Sequence, residues 1–438
     1  MKQNIGIIGL GFVGLTFGAF LASRGYSVFG IDSNKKNVLS IKNGLTPFYE
    51  PELDHLLNVG KKSFNVFNDI RKIKNNIDLL FLTVGTPLNK EGRIDLAHLE
   101  LATEAIKKYF KGKKMPVIII KSTVVPGTTN RIMKYIQTSM INEKNQNISI
   151  LSNPEFLREG KAIEDTTKPH LIVIGGNNEN SILKLRKFYK ELYGNEIPFI
   201  ITNPQTAEMI KYANNSFLAT KISFINQLAN ICQSINGVNI DEVANAIGID
   251  PRIGSQFLKA GPGYGGSCLP KDIQALISFS EQIGQSPTLL KAVQRINNNQ
   301  LKIIIKSIKK QIKKTDGAKI TILGLSFKEN TDDIRESVSL KLIEKLLEYK
   351  MNIVVHDPMA IPNTKKLFKN KISYRDKIHD ALKDSKCAII MTPWEEYEKI
   401  SLSDLKHMEK MFVIDTRRIL NKKTSKQIMY IGLGMGHT

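Results

Sequence analysis

Cys268 stands in the stretch GPGYGGSCLPKD (residues 261–272), behind glycines at 261, 263, 265 and 266 and ahead of Lys271 and Asp272. Glycine lets a backbone wrap closely around a bound molecule. A thiol has a pKa of about 8.5, and nearby cations lower it and favour the nucleophilic thiolate. Lys271 is one such cation, and Lys211 could approach from a long helical segment. On residue type alone two readings stay open, a nucleophile and a buried, inert cysteine. Cys232, in that helical segment, and Cys387, at the head of an apolar run, fit the inert kind. Lys211 and Asn215 sit at i and i+4, so they project from one helix face. A further set of hydroxyls and acids, Thr86, Ser122, Thr123, Asn153, Glu155 and Glu159, falls at the ends of apolar runs.

The elements that must position these groups begin with NIGII (4–8), a buried strand, followed by GLGFVG (9–14), an apolar helix to Ser23 and a second strand SVFGID ending at Asp32. G-x-G-x-x-G between a strand and a helix, with an acid closing the next strand, is the signature of a dinucleotide site. Gly9 allows the tight turn, Gly11 lets a pyrophosphate approach the backbone, and Gly14 lets helix and strand pack closely. Unpaired N–H groups at the helix start favour the phosphates. Asp32 can accept from both adenosine ribose hydroxyls and would repel a 2′-phosphate, so NAD is expected rather than NADP. Apolar runs at 77–87, 115–124, 148–156 and 170–176 read as further strands of a parallel sheet covered on both faces. Ligands of such sheets lie beyond the carboxyl ends of the strands, where the hydroxyls and acids above collect.

From Pro204 to about Asn236 the apolar spacing is helical over roughly eight turns, a length that bridges domains or forms a dimer seam. After residue 315 a second α/β unit begins, with strands at 319–328, 352–358, 387–394 and 412–416. It lacks G-x-G-x-x-G; GLSFKENTDDIRES stands in its place, where Lys328 and Arg335 could hold a second phosphate or be ordinary surface charge. The fold class is therefore α/β: two Rossmann-like, doubly wound parallel-sheet domains joined by a long helix. The divisions expected are 1–200, a central helical region 201–300 with the cysteine loop, and 301–438.

The 438 residues suffice for two or three domains. Three cysteines without close spacing fit neither a disulfide framework nor a zinc site, which points to a reducing, cytoplasmic setting. The seven histidines show no ligand spacing, and no metal is expected. The formal charge of +22 comes from lysines spread along the whole chain rather than a basic block, so no nucleic-acid partner is expected. The first 23 residues imitate a leader peptide, but regularly placed glycines interrupt the apolar run, and no segment is uninterrupted enough to span a membrane.

The ordered motifs IGLGFVG, VGTP, KSTVVPGT, SNPEFLREG, AEMIKYANNSFLATKISFIN, GYGGSCLPKD and GLSFKENTDDIRES cover nearly the whole chain. In them the chain resembles the nucleotide-sugar 6-dehydrogenases, and within those the UDP-glucose 6-dehydrogenases. The resemblance implies oxidation of a C6 alcohol to a carboxylate with reduction of two NAD. Cys268 would add to the intermediate aldehyde and carry a thiohemiacetal and then a thioester. Lys211 and Asn215 would stabilise developing negative charge, Glu155 would act as base for hydrolysis, and Thr123 and Asp272 would order a water. NAD contacts are implied for Gly9, Gly11, Val13, Gly14, Asp32, Thr86, Thr123, Glu159, Lys271 and Arg335. Substrate contacts are implied for Glu155, Phe156, Leu157, Arg158, Glu159, Lys211, Asn215, Phe257, Leu258, Lys259, Ala260, Gly261, Gly265 and Lys328. Arg252 would reach the sugar of a neighbouring subunit, which implies a homodimer or larger assembly around a UDP-sugar substrate. The family pattern is broken at Asn37, where a lysine or arginine is usual and Lys36 is adjacent, and at Thr416 and Arg418, where DTRR replaces DGRN. GDP-mannose and UDP-N-acetylhexosamine dehydrogenases share the catalytic loop. HDPMA, TPWEEY and Ser267 before the cysteine favour the UDP-glucose branch. A catalytically silent nucleotide-binding protein would not need Lys211, Asn215, Cys268 and Asp272 together.

Overall fold

The first apolar run forms strand β1 (Asn4–Ile8), and the glycine turn delivers the chain into helix α1 (Phe12–Ser23) and strand β2 (Ser27–Ile31). The computed structural model describes residues 2–73, 76–139 and 148–436. It divides into two units, residues 1–214 and 215–438. In the first, β3 (Phe64–Phe67), β4 (Leu79–Leu82), β5 (Val117–Ile120), β6 (Ile150–Ser152), β7 (Ile172–Gly175) and β8 (Phe199–Thr202) complete one sheet, ordered β3-β2-β1-β4-β5-β6-β7-β8. All neighbours pair in parallel except β6 and β7, which are antiparallel.

Both faces of this sheet are covered, and β4 shows why its sequence is apolar throughout. Leu79 and Phe81 join one core with Phe17 and Phe188, while Leu80 and Leu82 join another with Ile106 and Ile132. Side chains alternate across a strand, so a two-faced sheet needs apolar residues at every position. The strands are shorter than the apolar runs. In place of a strand over 77–87, the sheet keeps Leu79–Leu82 and releases the chain at Thr83. The freed segments then tie to each other: Ser122 Oγ donates to the Val84 carbonyl at 2.7 Å, and Thr86 Oγ1 to the Thr123 carbonyl at 2.7 Å. The hydroxyls and acids singled out by type are thereby loop residues at the carboxyl ends of strands.

The glycine turn has separate causes at its positions. Gly9 has a φ of +95°, and a Cβ there would meet Thr83 backbone at 2.9 Å. A Cβ on Gly14 would lie 1.9 Å from the Gly9 carbonyl oxygen.

Helix α2 (Thr128–Ser139) and helix α3 (Glu179–Tyr193) flank the first sheet's strands in sequence, and the long helix α4 runs Pro204–Cys232. It stops short of the expected Asn236 because Asn236-Gly237 is a turn, with Gly237 at a φ of +76°. The second unit contains α5 (Ile240–Ile249), α6 (Leu269–Gln282) and α7 (Thr288–Gln311). Its sheet comprises β9 (Lys319–Leu323), β10 (Asn352–His356), β11 (Ser373–Tyr374), β12 (Cys387–Ile390), β13 (Phe412–Asp415) and β14 (Met429–Gly432). The order β11-β10-β9-β12-β13-β14 is parallel throughout.

The second unit repeats the first turn in backbone, without its sequence. Gly9 N donates to the Ile31 carbonyl at 2.8 Å and Leu10 N to Asp32 Oδ2 at 2.8 Å. Gly324 N likewise donates to the His356 carbonyl at 2.9 Å and Leu325 N to Asp357 Oδ2 at 2.7 Å. Among the described residues no helix is long and apolar enough to cross a membrane, and no three His, Cys, Asp or Glu side chains cluster as a metal site would require.

Candidate active site

In the first unit, α1 starts at the exposed Gly11, where a Cβ would meet nothing within 4 Å. No protein atom demands glycine at 11, unlike 9 and 14, and the open backbone there suits a phosphate laid against the helix N-terminus. Val13 is partly exposed on the same first turn. Asp32 is oriented from both sides, Oδ2 by Leu10 N and Oδ1 by Asn34 N at 2.7 Å. A carboxylate has about four acceptor sites, so Asp32 keeps capacity for ribose hydroxyls. These residues fit NAD. Asn37 and Lys36 lie in the first turn of the helix Lys35–Lys42, whose N-cap Asn34 receives both their N–H groups.

Beyond the sheet, Lys211 Nζ lies 3.0 Å from Glu155 Oε1, with side chains 4% and 7% exposed. The Phe156 ring lies 5.3 Å from the same ammonium, and Leu157 N donates to Glu155 Oε2 at 2.5 Å. A second lysine stands close by. Lys121 Nζ donates to Asn153 Oδ1 at 3.2 Å and lies 5.3 Å from the Phe17 ring. Enclosure pushes its ammonium down to about 8, against the pull of Glu155. Lys121, Asn153, Glu155, Phe156 and His170 line a cavity of about 50 Å³. Arg158 forks onto Asp165 at 2.9 and 2.5 Å. Glu159 is partly buried three residues before the start of the helix Ala162–Thr167.

Two buried carboxylates hold these loops. Glu50, buried, accepts from Gly160 N at 2.7 Å and Ala162 N at 2.6 Å. Glu208 accepts from Gly127 N and Thr129. Glu50 lies outside every quoted motif, and Glu208 lies within AEMIKYANNSFLATKISFIN, which assigns it no role.

In the second unit Cys268 is the N-cap of α6, partly exposed, with Ser267 Oγ 3.5 Å from Sγ. A helix N-terminus favours negative charge. Asp272, buried in the first turn, accepts from Lys271 Nζ at 2.6 Å and from Asn215 Nδ2 at 2.6 Å. Lys271 is thus tied to Asp272.

The glycines before Cys268 are crowded by the protein itself. A Cβ on Gly261 would lie 2.7 Å from Arg417 Nη1, on Gly263 2.8 Å from Asn297 Oδ1, on Gly265 2.4 Å from the Glu336 carbonyl, and on Gly266 2.7 Å from the Phe327 ring. Close packing on residues 297, 327, 336 and 417 therefore requires these glycines, whatever ligand the loop meets. Asn226 Oδ1 receives Gly261 N at 2.8 Å, and Asn297 pairs with both backbone groups of Tyr264.

Residues 257–261 offer backbone more than side chains. Leu258 and Ala260 are buried in the core with Ile225 and Ile240, Lys259 is exposed, and Phe257 adopts a φ of +65°, a strained conformation for such a residue. Lys328 is partly buried and lies 5.8 Å from the Phe327 ring. Arg335 pairs with Asp333 at 2.6 Å, and its carbonyl accepts from Gly266 N. Arg252 is exposed and pairs with Asp250 at 2.6 Å. The departures from the family pattern have structural uses. Thr416 Oγ1 donates to the Ile390 carbonyl, and Arg418 joins Asp241 to the Ala260 carbonyl at 2.9 Å. Arg417, between them in DTRR, is pushed down to about 10 by burial and lies against Gly261.

Residues 3–193 match the NAD binding domain of the UDP-glucose/GDP-mannose dehydrogenase family, 205–299 its central domain and 321–422 its UDP binding domain. The chain is 38% identical over 435 residues to UDP-glucose 6-dehydrogenase of Rickettsia conorii, covering 97% of this chain and 98% of that protein. It is 37% identical over 437 residues to UDP-glucose 6-dehydrogenase YwqF of Bacillus subtilis, covering 99% and 98%. The solved UDP-glucose dehydrogenase of Pyrobaculum islandicum superposes with a TM-score of 0.92 at 33% identity, covering 99% of this chain and 98% of that one.

Proposed function

The chain belongs to the UDP-glucose/GDP-mannose dehydrogenase family, and on that premise we propose that it oxidises the C6 alcohol of UDP-glucose to the carboxylate of UDP-glucuronate, using NAD. The observation that carries this reading is near-full-length similarity to UDP-glucose 6-dehydrogenases. Residues 1–200 would hold NAD, 201–300 the central helices and cysteine loop, and 301–438 the UDP-sugar.

NAD, when bound, supplies the hydride acceptor for both oxidations. The chain's own groups handle the rest. Cys268 Sγ attacks the aldehyde carbon, a C–S bond forms, and the carbonyl π pair moves onto oxygen. Lys211 and Asn215, one turn apart on α4, supply the ammonium and amide donors that stabilise this oxygen. After loss of the second hydride the carbon is a thioester. Glu155 takes a proton from the attacking water, the C–S bond breaks, and the thiolate leaves. Thr123 and Asp272 would order that water. In sum the alcohol carbon and one water release two hydrides and three protons and leave a carboxylate. The buried Lys211–Glu155 contact suits this division, because it holds the proposed base beside the proposed oxyanion donor at 3.0 Å.

Phe217, Phe224 and Ile231 recur every seven residues along α4 and are 65%, 50% and 49% exposed. Such a stripe supports a homodimer through this helix, in which the exposed Arg252 could serve the partner's site.

A substrate panel tests the assignment. UDP-glucose with NAD should exceed GDP-mannose and the UDP-N-acetylhexosamines at least tenfold in kcat/KM, and NADP should serve at least tenfold worse than NAD. Preference for another sugar would move the chain to another branch of the family. Equal use of NADP would show that Asp32 does not meet the ribose.

A further inference from the structure

Glu208 lies one turn before Lys211 on α4 and is 2% exposed. Its carboxylate accepts three hydrogen bonds. Gly127 N reaches Oε2 at 2.6 Å, and Thr129 N and Thr129 Oγ1 reach Oε1 at 2.7 and 2.6 Å. These donors belong to the end of the loop 121–127 and the first turn of α2. Backbone N–H groups there have no partner within their own helix, and the helix dipole favours a negative charge beside them. Burial raises the Glu208 carboxyl above its ordinary range, but every donor it meets calls for the ionised form. One turn further along α4, Lys211 reaches Glu155. A single turn of α4 therefore grips two separate segments, the loop carrying Thr123 and the loop carrying Glu155.

We infer that Glu208 is a positioning residue for thioester hydrolysis, which fixes Thr123 relative to Lys211 and Glu155. The inference rests on the proposed reading of Cys268 as the acyl carrier and of Thr123 as a group that orders the attacking water. A carboxylate that merely capped α2 would affect stability alone. One that registers the Thr123 loop also sets the rate of a single chemical step.

Glu208→Gln keeps the shape but replaces one acceptor oxygen with an NH₂ that opposes an N–H group. It should lower kcat at least tenfold and KM for UDP-glucose with it, so that kcat/KM for UDP-glucose stays within threefold of wild type. The fraction of enzyme carrying an acyl group on Cys268 in the steady state, read by rapid quench and intact-protein mass spectrometry, should rise. Thr129→Val removes one of the three bonds from the other side and should produce a smaller change in the same direction, while Thr129→Ser should match wild type. If Glu208→Gln does not fold, the Thr129 pair carries the same test. Turnover per folded molecule within twofold of wild type overturns the inference. So does a loss of turnover without acyl accumulation when Glu155→Gln does accumulate it. If even Glu155→Gln never carries the acyl group, the cysteine reading itself has failed, and the inference falls with it.

Discussion

Cys268→Ser should lower sustained turnover at least a thousandfold, a rise in barrier of about 4 kcal/mol, while leaving the fold and substrate binding nearly intact. Cys268 is the N-cap of α6, and serine is among the preferred N-cap residues, so the substitution suits the local backbone. Its size also suits the loop, which the crowded glycines hold from the other side. The chemistry is what changes. A serine hydroxyl is scarcely ionised near neutrality, and an ester is a poorer acyl donor than a thioester. Thermal denaturation should show an unchanged or higher midpoint. In the wild type, iodoacetamide should label Cys268 ahead of the others, because Cys232 is buried and burial pushes the Cys387 thiol far up. UDP-glucose should protect Cys268 from labelling. Turnover above a tenth of wild type would make the cysteine structural.

Lys211→Met should be almost as damaging and should also cost stability. The methionine keeps an apolar stem of similar length but leaves Glu155 buried without its cation. Breaking a buried ion pair by removing one partner typically costs about 3–5 kcal/mol. Loss of the ammonium at the reacting oxygen adds a further penalty of about a hundredfold or more in kcat. The double variant Lys211→Met/Glu155→Gln separates the two effects. It should regain much of the thermal stability lost by the single variant and none of the turnover. A single variant retaining a tenth of wild-type turnover would remove Lys211 from the chemistry.

What is legible in the sequence is what repeats locally. The β1–α1–β2 turn is readable because glycines at 9, 11 and 14 and an acid at 32 each answer to one local constraint. The long helix is readable because its apolar spacing persists for 29 residues. Helix α7 is not. Its buried positions, Val293, Gln300, Ile304 and Ile308, form a narrow stripe that includes a glutamine, and the polar run at Asn297–Gln300 hides the period. The edge strands β3 and β8 are only four residues each, and β8 leaves Ile200 and Ile201 exposed. Motif and resemblance point to the site residues, but not to the groups that hold them. Glu50 meets Gly160 across 110 positions of sequence, Glu208 meets Gly127 across 81, and Arg418 meets Asp241 across 177. No local pattern encodes such pairs. The glycines at 261, 263, 265 and 266 show the converse: their presence is plain, but their reason lies in residues 297, 327, 336 and 417, which only the fold brings together.

The number of NADH formed per UDP-glucose consumed tests the central claim most directly. Limiting UDP-glucose with excess NAD should yield two NADH per sugar, with UDP-glucuronate as the product and no free aldehyde trapped by hydroxylamine. One NADH per sugar, with the aldehyde in solution, would contradict a four-electron oxidation held on Cys268.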